Sequence, residues 1–345
     1  MSLIQLRSFD RKTSSIVLTD QVAQPWDGLG HNRVGSETLE SMMHAAKLDF
    51  TVNRATVNFD VPTIKGISDI ENVRHQMKDR VVLYRSDTFA PLSVVSTNGY
   101  KVVQPSDIGD TFNRIAEAAK LEIDIVGSVN GGRRIWALAR CGDGFAPTLG
   151  DTVFPYLLFA TSYDGSLSTT VSFTTLRRAC NNMLAPAIGQ ISKMAAQGIK
   201  TAVKIPHSTK FDLDKVVKEL DEITGGFGVF QEQAKRLADR EVSYPQAEAL
   251  IAKILSRGKA TEPKEAEEIK GTKGFKRVMN LFDGAAMGSE HAGDKSLWAL
   301  LNSVTQHVDH ERGRNRDSGL SSAWFGEGAR IKQEALSTLL EATEV

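Results

Sequence analysis

The segment Val153-Phe-Pro-Tyr-Leu-Leu-Phe-Ala160 is apolar along its whole length. A strand that is apolar on both faces must be covered on both faces, so it belongs in the middle of a sheet. Pro155 lacks a backbone N–H and is tolerated near the start of a strand or at a bulge. We therefore predict a central strand over residues 153–162.

Other segments of strand length flank this one. The turn sequences Asn130-Gly131-Gly132 and Asp164-Gly165 lie between them, and such sequences favour the tight turns that join antiparallel strands. The pattern predicts a meander of four strands, at about residues 121–129, 133–141, 153–162 and 166–176.

Upstream, Ser36 precedes apolar residues at helical spacing, which predicts a capped helix ending near Lys47. Alternation predicts strands over residues 50–59, 81–84 and 92–103, and Asn98-Gly99 predicts a hairpin turn within the last of these. Residues 105–120 read as a helix. The first 35 residues are rich in loop-forming types and read as an N-terminal arm.

Downstream of residue 177 the apolar spacing becomes helical, apart from an extended piece at 201–205. The glycines between Gly225 and Gly228 predict a break or kink in the second helix, since glycine is a poor helix former. The predicted helices are 178–197, 211–240, 245–257, 264–282, 294–311 and 322–342.

These elements indicate an α+β fold. An antiparallel, hairpin-rich sheet with packed helices occupies the N-terminal part, and the C-terminal part is all-helical. We predict three units, which are an arm at 1–35, a sheet domain at 36–210 and a helical domain at 211–345.

The composition is that of an ordinary globular protein, with 41% apolar and 24% charged residues. The longest apolar run is far shorter than the ~20 residues that span a bilayer, and the N-terminus lacks a secretory pattern. Cys141 and Cys180 are too few for a disulfide framework. We expect a cytoplasmic protein with reduced thiols.

The formal net charge is zero, but the charge is segregated. The chain between Asp164 and Asp212 contains no acidic residue. The basic residues of this interval are Arg177, Arg178, Lys193, Lys200, Lys204 and Lys210. A segregated positive segment is typical of a protein with phosphate-bearing partners, although a solvated face explains it as well.

The fourth predicted strand places four hydroxyl side chains on one face, with Arg178 beyond its end in the same alternation. The hydroxyl side chains belong to Ser168, Thr170, Ser172 and Thr174. Hydroxyl and guanidinium groups donate hydrogen bonds to phosphate oxygens, so this face is a candidate for contact with a sugar-phosphate backbone. The alternative is a polar face that only contacts water.

The second predicted strand adds Arg133, Arg134, Trp136 and Arg140. An aromatic ring flanked by arginines is typical of single-strand binders, in which the ring stacks on a base. Trp136 or Tyr163 is the candidate ring, and a core tryptophan is the alternative for Trp136. Lys193, Lys200 and Lys204 extend the basic surface, or else they face acidic helices or another subunit.

Evidence for catalysis is weak. His307, Asp309 and His310 could begin a metal site, but no further ligand follows from their spacing. Cys180 lies near Arg177 and Arg178, but no histidine is placed to activate it. We expect no cofactor and no metal, and an enzyme is unsupported, although not excluded.

Several segments together resemble one family. They are 25–30 (PWDGLG), 48–52 (LDFTV), 84–87 (YRSD), 131–134 (GGRR), 155–158 (PYLL), 164–166 (DGS), 178–184 (RACNNML), 305–310 (TQHVDH) and 325–332 (FGEGARIK). The chain is similar over nearly its whole length to the phage- and plasmid-encoded family called domain of unknown function 932. This resemblance implies a mobile-element origin and a bacterial cytoplasm, and it supplies no catalytic residues. Where the family commonly has Trp-His-Gly, this chain has Trp26-Asp27-Gly28.

The leading hypothesis is a non-enzymatic protein that binds or anneals single-stranded DNA in recombination or DNA maintenance, as a homo-oligomer. The outline of a hairpin sheet followed by a basic helix is similar to single-strand annealing proteins, by fold analogy alone. An alternative is a counter-defence protein that binds an acidic host protein. A metal- or thiol-dependent enzyme is the third.

Overall fold

The structure is a computed structural model, which describes residues 26–64, 70–178, 202–204, 213–256, 263–286 and 294–344. Up to residue 204, the described residues form nine strands and two helices. The strands are β1 (Gly30–Asn32), β2 (Val52–Ile64), β3 (Ile70–Arg85), β4 (Pro91–Ser96), β5 (Ile123–Val129), β6 (Arg134–Arg140), β7 (Val153–Ser162), β8 (Thr170–Arg177) and β9 (Ala202–Lys204). The helices are α1 (Leu39–Ala45) and α2 (Pro105–Ala118).

Six of these strands form one antiparallel sheet in the order β1-β5-β6-β7-β8-β9. β7 lies inside the sheet, as its apolar sequence predicts, and every residue from Pro155 to Ser162 is buried. The strands β5 to β8 are neighbours in the sheet in the order in which they follow one another in the chain, which confirms the predicted meander. Residues 30–32 of the predicted N-terminal arm pair with β5 and so belong to this sheet.

The other three strands form a second antiparallel sheet, in the order β2-β3-β4. Pairing of β2 with β3 shifts between Thr56 and Val57, whose partners are Val81 and Met77. The intervening residues 78–80 form a bulge, which Thr97 holds by donating its backbone N–H to the Asp79 carbonyl at 2.9 Å. Beyond the bulge the β2–β3 hairpin leaves the body of the protein, and we call residues 57–63 and 71–77 the arm hairpin.

From residue 213 onward the described chain is helical. Its α-helices are α3 (Leu213–Ala238), α4 (Tyr244–Leu255), α5 (Pro263–Lys270), α6 (Lys273–Asn280), α7 (Leu297–Gln306), α8 (Arg316–Phe325) and α9 (Glu327–Glu341). Short π-helical turns follow α6 at Leu281–Ala285 and α7 at His307–Glu311. Among the described residues, no helix combines the length and apolar character needed to cross a bilayer.

Aromatic contacts join the helices to both faces of the six-stranded sheet. On one face, Phe112 of α2 packs on Phe159 with ring centroids 5.4 Å apart, and Phe227 of α3 packs on Phe173 at 6.0 Å. On the other face, Trp324 of α8 meets Trp136 at 4.7 Å. The α+β class is therefore confirmed, with the sheets in the N-terminal half and helices α4 to α9 in the C-terminal part. The domain boundary near residue 210 stays a prediction.

Several local predictions are wrong. The predicted helices 264–282 and 322–342 each correspond to two helices, which are separated at residues 271–272 and at Gly326. Asn98-Gly99 does not join two paired strands, because β4 pairs with the earlier β3 and residues 100–104 have no strand pairing within the described chain. The glycines 225–228 do not interrupt α3, since Phe227 and Phe230 on this turn pack against Phe145 and Phe173. The first helix is capped by Thr38, which accepts the Ser41 N–H, and not by Ser36.

Candidate nucleic-acid interface

The predicted binding residues divide between two ends of the six-stranded sheet. One end carries the β5–β6 turn at 130–133 and the β7–β8 turn at 163–169, and we call it the turn end. Arg133, Arg134, Ser168 and Lys204 lie there. Arg140, Thr174, Arg177 and Arg178 lie at the opposite end, roughly 20 Å away along the strands. Lys193 and Lys200 lie outside the described residues.

Trp136 is fully buried at the centre of the protein. Its ring contacts Trp26 and Trp324, with centroid distances of 6.4 and 4.7 Å. Gly30 and Gly127 leave room for the indole, since a Cβ on Gly127 would lie 2.4 Å from the Trp136 ring. Tyr163 is buried as well. The expectation that either ring is open to stack on a base is therefore wrong.

The hydroxyl face of β8 is also closed to solvent. Thr170, Ser172 and Thr174 are buried, and only Ser168, ahead of the strand, is exposed. Ser172 Oγ and Thr174 Oγ1 have no hydrogen-bond partner among the described residues. Alternation identified correctly which residues share a face, but it did not reveal that the face is covered. An exposed face along β8 is therefore a wrong expectation.

Arg177 is part of the structural core at the opposite end of the sheet. Its Nε donates to Asp151 Oδ1 at 2.6 Å, and the Trp298 indole donates to Asp151 Oδ2 at 2.7 Å. All three side chains are buried. This network ties β8 to α7. The neighbouring Arg178 is exposed, and its backbone N–H donates to Thr152.

A largely buried polar row lies beside this network. Arg140, Tyr156 and Thr174 are directly in register across β6, β7 and β8. Asp124 on β5 accepts a hydrogen bond from the Tyr156 hydroxyl, while its Oδ2 atom has no hydrogen-bond partner in the described part of the chain. Burial raises the pKa of Asp124 to about 7 and that of Tyr156 well above its usual value. The row therefore holds a titratable acid that is shielded from solvent.

Cys141 follows this row and is not an activated nucleophile. Burial raises the pKa of its thiol to about 12, so the thiolate is scarce near neutral pH.

Arg140 stacks on the Phe154 ring at 4.5 Å and donates to the Gly142 carbonyl at 3.0 Å. Its guanidinium therefore belongs to the local packing.

The turn end presents its charges differently. Arg133 is exposed, and its Nε donates to the Pro91 carbonyl at 3.2 Å. The Arg134 guanidinium covers the Phe325 ring at 4.5 Å, and its Nη2 donates to Ser166 Oγ at 2.7 Å. Burial lowers the pKa of Arg134, but an arginine stays cationic in proteins.

The start of α8 and the loop ahead of it lie against the β5–β6 turn. Asp317 accepts hydrogen bonds from the backbone N–H groups of Asn130 at 2.5 Å and Gly131 at 3.1 Å. The Asn130 side chain also donates to Ser321 at 3.0 Å. We call residues 312–316, just ahead of Asp317, the arginine loop. It contains Arg312, Arg314 and Arg316, of which Arg314 and Arg316 are exposed.

Arg85 holds the same turn from the other side. Its Nη1 donates to the Gly131 carbonyl at 3.3 Å, and its guanidinium covers the Phe50 ring at 4.0 Å. A Cβ on Gly132, whose φ is +92°, would lie 2.6 Å from Arg85 Nη1. The hydrogen bond from Arg85 lowers the pKa of Asp87 to about 2. The turn is thus fixed by charged groups that are themselves paired.

An exposed aromatic side chain also lies close to the turn end. Phe89 is 75% exposed and has a φ of +58°, an uncommon backbone conformation for a bulky residue. It lies between Arg85, which contacts Gly131, and Pro91, which contacts Arg133. Its ring stacks on Tyr84 with centroids 6.5 Å apart. Sequence reasoning missed Phe89 and the arginine loop, because neither adjoins the basic interval in the chain.

The histidines singled out by sequence are engaged in the helical part. His307 contacts Glu311 at 3.4 Å, and burial lowers its pKa. Asp309 forms a fully buried ion pair with Lys332 at 2.6 Å. Within the described ranges, no group of three or more histidine, cysteine or acidic residues is placed to hold a metal.

The molecule is thus an α+β protein whose C-terminal helices complete an arginine-bearing surface at one end of an antiparallel sheet. The chain belongs to the family described as a domain of unknown function, DUF932, which matches residues 91–334. No curated protein and no solved structure matches the chain. Several segments that carry the resemblance meet at the turn end, through Trp26, Arg85, Gly131, Arg134 and Phe325.

Proposed function

We propose that the protein binds single-stranded DNA at the turn end without catalysing a reaction, in the recombination or maintenance of phage or plasmid DNA. The observation that carries this proposal is the pair of hydrogen bonds from Asn130 and Gly131 to Asp317. These bonds keep the arginine loop beside Arg133, so exposed cations from distant parts of the chain form one surface. Guanidinium groups are well suited to phosphate oxygens.

The neighbouring groups extend this surface. Lys204 is exposed at the end of β9, in register with Thr170 at the start of β8. The Ser168 side chain is exposed ahead of the same strand. The lysine adds charge and the hydroxyl adds a hydrogen-bond donor for a phosphate. The acidic side chains nearby are partly occupied, since Asp317 accepts two backbone N–H groups and Asp164 accepts the Ser166 N–H.

Phe89 supplies the stacking group that Trp136 cannot supply. An exposed ring beside cations is the usual arrangement for binding unpaired bases without reading their sequence. Bases in a duplex are already stacked on each other, so an aromatic contact favours single strands. Removing one such ring costs about 1–3 kcal/mol of binding free energy.

Fluorescence anisotropy of labelled oligonucleotides across a salt series tests the proposal. We expect the protein to bind single strands more tightly than duplexes of the same length. The Arg133→Ala/Arg316→Ala variant should bind more weakly, and the slope of log affinity against log salt should decrease by roughly one for each phosphate that the variant no longer neutralises. Phe89→Ala should weaken single-strand binding and leave the salt slope nearly unchanged.

The matched control is Arg236→Ala/Arg240→Ala, which removes two exposed arginines at the end of α3. It removes the same number of positive charges as the turn-end variant, at positions that are distant from the turn end in the sequence. Equal reductions in affinity for the control and the turn-end variant would show that only total charge matters. Absence of micromolar binding at low salt would rule out the DNA function and leave the acidic host protein as the ligand to test on the same variants.

A further inference from the structure

The side chains of the arm hairpin are exposed to solvent along almost its whole length. Side chains at residues 58–63 and 71–77 are exposed, although both strands are regularly paired. Phe59 is 49% exposed and Met77 is 40% exposed. An isolated two-stranded hairpin is at best marginally stable in water, and packing against another element stabilises it. The exposure of its apolar side chains therefore requires a physical explanation.

The two faces of the arm hairpin differ in chemistry. One face carries three cross-strand pairs that are largely apolar, with the polar Thr63–Glu71 pair beyond them at the tip, and we call the three pairs the apolar face. These pairs are Val57 with Met77, Phe59 with His75, and Val61 with Val73. The other face carries Asn58 with Gln76, Asp60 with Arg74, and Pro62 with Asn72. The Asp60–Arg74 pair forms a salt bridge at 3.0 Å, so charge on this face is matched within the hairpin.

The charge of the arm hairpin and its bulge argues against a polyanion as the partner of this face. Residues 57–63 and 71–80 contain three acidic side chains, Asp60, Glu71 and Asp79. They contain three basic side chains, Arg74, Lys78 and Arg80. The sum is zero, so the region lacks the positive field that nucleic-acid binding requires. An apolar face on a neutral element fits a protein surface of the same character.

The order of the pairs makes the apolar face complementary to itself. The Phe59–His75 pair lies in the middle, with its rings stacked at 5.6 Å, and an aliphatic pair lies on each side. A twofold axis that lies between two such faces and crosses the strands would bring Phe59 onto its own copy. The same axis would bring Val57 and Met77 onto Val61 and Val73 of the second copy. Twofold interfaces of this kind are the commonest in homo-oligomers.

We infer that the apolar face of the arm hairpin binds the same face of a second copy of this chain. The inference is independent of the proposed DNA function, because it concerns a different surface and needs no nucleic acid. The face is about 20 Å long and about 10 Å wide. That area is smaller than the ~800 Å² per partner of a standard stable interface, so we expect a weak dimer that dissociates at low protein concentration.

Sedimentation equilibrium of the full chain without DNA, from about 1 to 100 µM, tests this inference. The wild type shifts from monomer to dimer over this range. Phe59→Lys/Met77→Lys places cations on the apolar face and weakens association at least tenfold. The matched control, Asn58→Lys/Gln76→Lys, places the same charges one residue away on the polar face and leaves association unchanged.

A second measurement covers the case in which lysines disturb the hairpin itself. With diamide as oxidant, Phe59→Cys forms a disulfide-linked dimer that is visible on a non-reducing gel, because Phe59 lies beside the twofold axis. Asn58→Cys does not form one at the same concentration. A wild type that stays monomeric at 100 µM, or equal cross-linking of the two cysteine variants, overturns the inference.

Discussion

The two ends of the six-stranded sheet both carry arginines, but they use them in opposite ways. At the opposite end, Arg177 is buried against Asp151 and contributes to packing. At the turn end, Arg133 and Arg316 donate to backbone carbonyls and remain exposed, and Arg316 also lies 3.9 Å from the exposed Asp27 carboxylate. The burial of an arginine and its ion-pair partner, and not its presence in a basic segment, therefore distinguishes a structural cation from a candidate binding cation.

The largest expected effect is on the free energy of unfolding and concerns the opposite end of the sheet. Arg177→Ala leaves Asp151 buried without its ion-pair partner, and breaking such a pair costs about 3–5 kcal/mol of the free energy of unfolding. Urea denaturation measures this decrease. Arg178→Ala is the neighbouring control and should change stability by less than about 0.5 kcal/mol, since Arg178 is exposed. Equal effects of the two substitutions would erase the distinction between the ends.

A smaller effect concerns pH at the same end. Burial holds the folded-state pKa of Asp124 at about 7, above that of the unfolded chain. The folded state therefore binds more protons than the unfolded state over this interval, and stability falls as pH rises from about 4 to about 7. The decrease is at most about 4 kcal/mol, because the shift is about 3 pKa units and one unit corresponds to about 1.4 kcal/mol. Asp124→Asn should flatten this part of the profile, which urea denaturation at several pH values measures, and the exposed control Asp239→Asn should not.

The smallest expected effect on stability concerns the turn end, where the direction of the change in DNA affinity tests the role of the arginine loop. Asp317→Ala removes two hydrogen bonds to the β5–β6 turn and should lower the free energy of unfolding by about 1–2 kcal/mol. It also removes a negative charge, which alone would strengthen binding to a polyanion. If the arginine loop must be held in place, single-strand affinity should fall instead in anisotropy titrations. Higher affinity, as expected for a control such as Asp239→Ala, would show that the position of the loop does not matter.

Much of the fold could be predicted because local patterns agree with tertiary structure there. Strands β5 to β8 follow from alternation and from glycine turns, and α2 follows from helical spacing. The Asn98-Gly99 hairpin prediction is wrong, because turn preference does not determine which strand β4 pairs with. The continuity of α3 escaped prediction because aromatic packing by Phe227 and Phe230 outweighs about 1 kcal/mol per glycine.

The candidate site could be predicted only in part. Alternation places Ser172 and Thr174 on one face, but burial depends on what covers that face, which no local pattern contains. Arg133 and Arg134 stand out for their charge, and the structure places them at the turn end. Asp317, which follows the arginine loop and contacts the β5–β6 turn, is 187 residues from Asn130 in the sequence. Local spacing therefore could not reveal that the loop and the turn are neighbours.

The contact of Trp26, Trp136 and Trp324 has a consequence for the order of assembly. These rings come from the two ends and the middle of the described chain. During synthesis, the ribosome must release residues up to 325 before the third ring and the Asp317 contact can close the surface. Contacts at such large sequence separation form slowly. A nascent or prematurely terminated chain that lacks these residues therefore lacks the completed turn end.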